Sequence, residues 1–205
     1  MHPNPAFRNI PVEQNLSFAR SRGFGVLSVN GVDGPLLAHV PFLLAADGSS
    51  ADLHLARSNG IIRGGLPAKA VLGVVGPDAY VSPDWYGVPD QVPTWNYIAV
   101  HLRGELVSLP EEALEPHLNA LADAFEMRLL PKPVWKTAKM SDGVMARMMR
   151  MILPFRLVIT GVEGTWKLGQ NKTAVARAEV IEALSMQDGV GWPKGIADAM
   201  WNLPE

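Results

Sequence analysis

The tripeptide Arg57-Ser58-Asn59 closes the apolar run "LHLA" with a cation, a hydroxyl and an amide. Followed by exposed backbone N–H groups around Gly60, this set has the chemistry to hold a phosphate. A second unusual set opens the strand-like stretch "VPTWNYIAVHLRGEL", residues 92–106, where Trp95, Asn96 and Tyr97 stand in place of apolar filling. The odd positions, Trp95, Tyr97, Ala99, His101, Arg103 and Glu105, run from aromatic through small to polar. Ile98, Val100, Leu102 and Leu106 form the other face, interrupted by Gly104. The odd face suits a flat ligand or a subunit interface, and equally an outer sheet face covered by a helix. His39 and Pro41 interrupt the apolar run "LAHVPF", and His54 lies between Leu53 and Leu55. Either histidine can be a hydrogen-bonded core or interface residue as well as a ligand contact. Gln170 and Asn171 in "KLGQNK" precede a helical pattern, and Asn171 there is also a natural helix cap.

Other chemistries find less support. The chain has no cysteine, which excludes disulfides, thiolate nucleophiles and cysteine zinc sites. There is no G-x-S-x-G elbow, and no acid/base pair stands out. His39, His54 and His101 fall on predicted strands, but no local ligand spacing supports a metal.

The elements that must position these residues read as strands first and helices later. "FGVLSVN", "PLLAHVPFLLAA", "ADLHLA", "KAVLGVVGPDAYVS", "NYIAVHLRGELVSL" and "PFRLVITGVEGTWKL" are apolar or alternating runs separated by turn chemistry. Pro41 cannot donate to a ladder, so its strand is expected to be an edge or to carry a bulge. Helices are expected at about 111–130, 142–152 and 172–187. The first carries Leu114, Leu118, Leu121, Ala122 and Phe125 at helical spacing. The second has Ser141 as a candidate cap and Met145, Met148, Met149 and Ile152 as its buried side. Strands without regular helical crossovers predict an α+β, mainly β, single domain over 1–205: a small barrel of antiparallel strands with peripheral helices.

The 205 residues carry a formal charge of −2, which offers no global attraction to nucleic acid or anionic lipid. No apolar run reaches the roughly 18 residues of a membrane span and no secretory pattern opens the chain, so a cytoplasmic protein is expected. Six acids between Glu105 and Glu126 are followed by seven bases between Arg128 and Arg156. Prolines at 131 and 133 and the lack of a second helix argue against a helix-turn-helix. The basic block reads as a solvated face.

Several separated motifs, in order, resemble the PaiB family of FMN-binding negative transcriptional regulators. They are "MHPNPAF", "AHVP", "LHLARSN", "GPDAYVSPDWY", "VPTWNY" followed by "VH" and Gly104, and "KLGQNK", within a likeness running from Met1 to about Leu184. The resemblance implies a flavin-reductase-like split barrel, related to the pyridoxamine-phosphate oxidase fold, working as a homodimer with FMN at the subunit interface. It implies FMN phosphate contacts from Arg57, Ser58 and Asn59. Trp95 and Tyr97 would wall the ring or the dimer seam, Asn96, Gln170 and Asn171 would supply amides, and His39, Pro41 and His54 would lie nearby. Two departures stand out. Ser58-Asn59-Gly60 replaces the usual Ala-Asn-Pro, and Gly169 and Lys172 replace a serine and an arginine. A flavin-binding regulator or sensor is the function implied, with DNA a partner by family label only. A flavin-dependent oxidoreductase acting on a small molecule is the alternative, since FMN brings its own chemistry.

Overall fold

The computed structural model describes residues 1–188 and 191–203. Among these residues six strands form: β1 (Phe24–Gly31), β2 (Gly34–Leu44), β3 (Ser50–Ala56), β4 (Ala68–Val81), β5 (Thr94–Ser108) and β6 (Ile152–Lys167). All six apolar runs in the sequence are strands. They close into a barrel in the order β1-β2-β3-β6-β5-β4. The fold is α+β, as expected. β1 and β2 form a hairpin with Phe24 opposite Pro41 and Gly31 opposite Gly34, and β3 runs antiparallel to both β2 and β6.

Among the described residues six α-helices accompany the strands: α1 (Val12–Arg22), α2 (Gly60–Arg63), α3 (Leu114–Glu126), α4 (Val144–Met149), α5 (Ala174–Ser185) and α6 (Pro193–Trp201). The chain divides into two units. One comprises 1–15, 75–100 and 163–205, and the other 16–74 and 101–162. In the second unit the alternating positions of the strands fill the core. Leu27, Val40, Phe42, Leu53, Leu72, Leu102, Phe155 and Leu157 are all buried. Each such side chain stabilises the fold by roughly 1.5–3 kcal/mol relative to exposure. Gly104, the gap in the buried face of β5, has a steric cause. A Cβ there would stand 1.9 Å from the carbonyl oxygen of Val158 on β6, so only glycine permits the approach.

Some expectations change. β2 lies between β1 and β3 and is not an edge strand, but its ladder to β3 registers only Phe42–Leu44. Pro41, one residue earlier, therefore interrupts none of the registered β2–β3 pairs. The predicted helix over 142–152 shrinks to α4, because Met151 N–H closes a turn on Met148 and β6 begins at Ile152. Gly143, not Ser141, is its N-cap, and no side chain caps it. The expected buried methionine side is only half-buried at Met145, and Met148 is exposed. α5 is capped by the Thr173 hydroxyl, which accepts from Ala176 N–H, so Asn171 is not a helix cap. α1 and α6 were not expected. The C-terminal end of α1 is bound by the Arg128 guanidinium, which donates to the Ser21 and Arg20 carbonyls at 2.6 and 3.2 Å.

In the first unit, buried Asn15 donates to the Ile10 and Pro11 carbonyls and accepts from Trp166 Nε1 at 2.9 Å. The "SPDWYG" segment is a short 3-10 turn over Pro83–Tyr86 whose start is capped by the Ser82 hydroxyl, and Tyr86 is buried. Buried positions of α5 (Ala176, Val180, Leu184) and α6 (Ile196, Ala197, Met200) complete this unit's core.

Candidate functional site

The sequence-derived site residues fall into both units. In the second unit, β3 ends at Ala56 and delivers Arg57, Ser58 and Asn59 to the turn before α2. Arg57 is held from two sides: Nε donates to the Arg150 carbonyl at 2.8 Å, and Nη2 pairs with Glu111 at 2.8 Å. These contacts fix the guanidinium and leave its Nη1 edge for an anion. Ser58 is exposed. Asn59 is the N-cap of α2 and accepts from Ile61 N–H at 3.0 Å, so its carbonyl oxygen and that N–H are already paired. The turn thus offers a fixed guanidinium edge and a free hydroxyl, donors of the kind a flavin phosphate requires.

His54 points to the outer face of β3, together with Asp52, because their neighbours Ala51, Leu53 and Leu55 point inward. There it meets a residue that sequence reasoning missed. His54 Nδ1 lies 3.3 Å from Nε2 of His117, which is buried on α3, and the two rings pack edge to face. The available signal was His117 within the helical stripe Leu114-His117-Leu118-Leu121, three and four residues from leucines on either side. Beside the pair, Asp52 accepts two hydrogen bonds from Arg156, at 2.6 and 2.8 Å. Burial pushes both imidazoles toward the neutral form. For His117, burial acts first and the neighbouring His54 second, lowering its pKa to about 4 against a smaller opposing effect of Asp52. Two neutral imidazoles share one hydrogen bond, so one donates and the other accepts. His39 is exposed on β2 opposite Val26, and Pro41 is half-buried on the same face.

In the other unit, Trp95 is exposed and packs edge to face with Tyr80, ring centres 6.3 Å apart. Tyr97 is half-buried. Asn96 is on the opposite, buried face, where its Nδ2 donates to Met200 Sδ at 3.5 Å. Gln170 serves its own loop: its carbonyl oxygen accepts from Leu168 N–H at 2.8 Å, and its amide donates to the Trp166 carbonyl. Asn171 is exposed and lines a small cavity with Asn96, Lys167 and Lys172. The first unit therefore brings together Asn96 and Asn171 at one cavity, and the second unit brings together Arg57, Ser58 and Asn59 at one turn. Gly169, where the resemblance leads one to expect serine, has φ of +78°. That left-handed conformation is one glycine adopts without cost.

A family model described as "Putative FMN-binding domain" matches residues 1–161. The chain belongs to this family. FMN is the flavin that membership assigns to it. This FMN-binding domain protein is also similar to protease synthase and sporulation protein PAI 2 of Bacillus subtilis (strain 168), at 27% identity over 185 residues. That alignment covers 89% of this chain and 88% of the relative. The PaiB resemblance read from the motifs agrees with both findings. Among solved structures, the FAD and heme binding protein from Mycobacterium smegmatis superposes with a TM-score of 0.57 at 16% identity, covering 90% of this chain and 82% of that one. The flavocytochrome Anf3 from Azotobacter vinelandii gives 0.55 at 12% identity, covering 81% and 72%. These likenesses establish the split-barrel fold of the FMN-binding domain protein. No helix among the described residues is long and apolar enough to cross a membrane.

Proposed function

We propose that this FMN-binding protein is a PaiB-like negative transcriptional regulator or flavin sensor that works as a homodimer. The observation that carries the reading is the near-end-to-end alignment with PAI 2, on top of family membership over 1–161. FMN supplies redox chemistry and a flat chromophore when bound. The protein's part is to bind and orient it. Arg57, held by Arg150 and Glu111, would present its Nη1 edge to the phosphate, with the Ser58 hydroxyl as a donor beside it. The exposed Trp95–Tyr80 pair supports the homodimer, because paired exposed aromatics are typical anchors of subunit contacts.

The basic segment gives no separate support for DNA contact. Lys132 and Lys136 already pair with Glu126 and Asp123. A regulatory role through a protein contact fits this charge balance better than a base-reading helix.

The test is genetic and biophysical. Deleting the gene and replacing it with the Arg57→Ala allele should change the same transcripts, and light scattering should give the mass of two chains. Unchanged transcripts on deletion would refute the regulator. A mass of one chain at micromolar concentration would refute the homodimer.

A further inference from the structure

The cavity beside the "KLGQNK" loop has a charge pattern found at no other described lysine pair. Its volume is about 140 Å³, and its lining includes Lys167, Lys172, Thr94, Asn96, Tyr86 and Asn171, with no carboxylate among them. Lys167 Nζ donates to the Thr94 hydroxyl and to the Trp95 carbonyl. Lys172 Nζ donates to the Gln91 side-chain oxygen and sits 4.9 Å from the centre of the Tyr86 ring. Every one of these partners is neutral. By contrast, Lys69, Lys132, Lys136 and Lys194 each pair with a carboxylate.

Two half-buried ammonium groups facing one small cavity repel each other unless an anion lies between them. Burial first, and the Lys172 charge second, hold Lys167 below the ordinary lysine pKa. The loop that carries both is locked in place. Gln170 bonds it at two points, Lys172 N–H donates to the Gly169 carbonyl at 2.9 Å, and Gly169 takes a left-handed turn. Each ammonium has three N–H groups and uses no more than two on neutral oxygens, so donors remain for a ligand. The space falls well below the roughly 300–1,000 Å³ of pockets that enclose a drug-sized molecule. What enters is therefore a small oxyanion or the oxyanion end of a longer molecule.

We infer that Lys167 and Lys172, with Thr94, Asn96 and Asn171 around them, form an oxyanion-binding site of the phosphate or carboxylate class. The site does not depend on the Arg57 assignment. Its anion can be a free small molecule or the phosphate of FMN itself, and the two sources are separable.

The probes are inorganic phosphate, FMN and riboflavin, titrated against the full chain in a zwitterionic buffer. Binding is followed by calorimetry or tryptophan fluorescence. The variants are Lys172→Met, Lys167→Met and Lys172→Arg, with Lys69→Met as a surface control and thermal melts to confirm folding. If the source is free, phosphate binds the wild type, each methionine variant weakens it roughly ten- to hundredfold, and FMN affinity is unchanged. If the source is FMN, the methionine variants weaken FMN by a similar factor and leave riboflavin unchanged, which would also move the phosphate away from Arg57. Both outcomes support the site, and Lys172→Arg should retain binding in either. Equal phosphate affinity in folded wild type and variants, or no phosphate binding at all, together with an unaltered preference for FMN over riboflavin, would overturn it. Should Lys167→Met fail to fold through loss of its Trp95 and Thr94 bonds, the comparison rests on Lys172→Met.

Discussion

The His54–His117 pair makes the fold sensitive to mild acid. In the native state His117 is buried, lies 3.3 Å from another imidazole, and titrates at about 4. In the unfolded chain it titrates near 6.5. Below that value the unfolded chain binds a proton that the native state refuses, so ν_U exceeds ν_N and stability falls with falling pH. The contribution is complete above the unfolded value and is lost progressively down to the folded one. From about pH 7.5 to about pH 5, two-state linkage with these values gives a loss of about 2 kcal/mol from His117 alone. His54, shifted in the same direction, adds to it. Asp52 and Arg156 flank the pair, and their mutual bidentate bonds keep the carboxylate from fully rescuing a charged imidazole. Urea unfolding of wild type and His117→Leu at both pH values isolates the effect, since other titrating groups are common to both. The wild type should lose about 2 kcal/mol more than the variant over this interval, with little change in m. Identical pH dependence in the two proteins would refute a buried neutral His117.

Three further outcomes follow from the geometry. Gly104→Ala, which drives a methyl into the Val158 backbone carbonyl, should destabilise by about 3 kcal/mol or more in denaturant titration. Asn15→Ala removes three hydrogen bonds inside the first unit and should cost about 2–3 kcal/mol, read as a lower unfolding midpoint. Arg57→Ala should weaken FMN binding roughly ten- to hundredfold while leaving riboflavin affinity almost unchanged. An unchanged FMN dissociation constant would remove Arg57 from the phosphate.

The barrel was legible in the sequence because its signal is local. β5 alternates over fifteen residues, and its buried positions Ile98, Val100, Leu102 and Leu106 are those the period of two selects. Gly104 was legible as a gap, but its cause is a carbonyl more than fifty residues away on β6. α1 escaped detection because its fully buried apolar contribution is little more than Leu16 and Ala19, with polar Asn15 beside them. α6 escaped because "GWPKG" has the composition of a turn, although Ile196, Ala197 and Met200 form a helical face.

The site residues divide along the same line. The donors of Arg57-Ser58-Asn59 were visible in the sequence, whereas the contacts that hold Arg57, from Glu111 and Arg150, were not, since both residues are distant in sequence. His54 was visible and its partner was not, since a single histidine in an apolar helical stripe reads as core packing. The two lysines of the "KLGQNK" loop looked like ordinary basic residues. Only their placement around one cavity without a carboxylate sets them apart.

Binding of FMN by this chain is tested most directly by a titration. Adding purified protein to FMN should quench flavin fluorescence saturably and perturb the visible absorption bands, with FMN retained through gel filtration. FMN that keeps the spectrum and fluorescence of free flavin in the presence of excess folded protein would contradict the account.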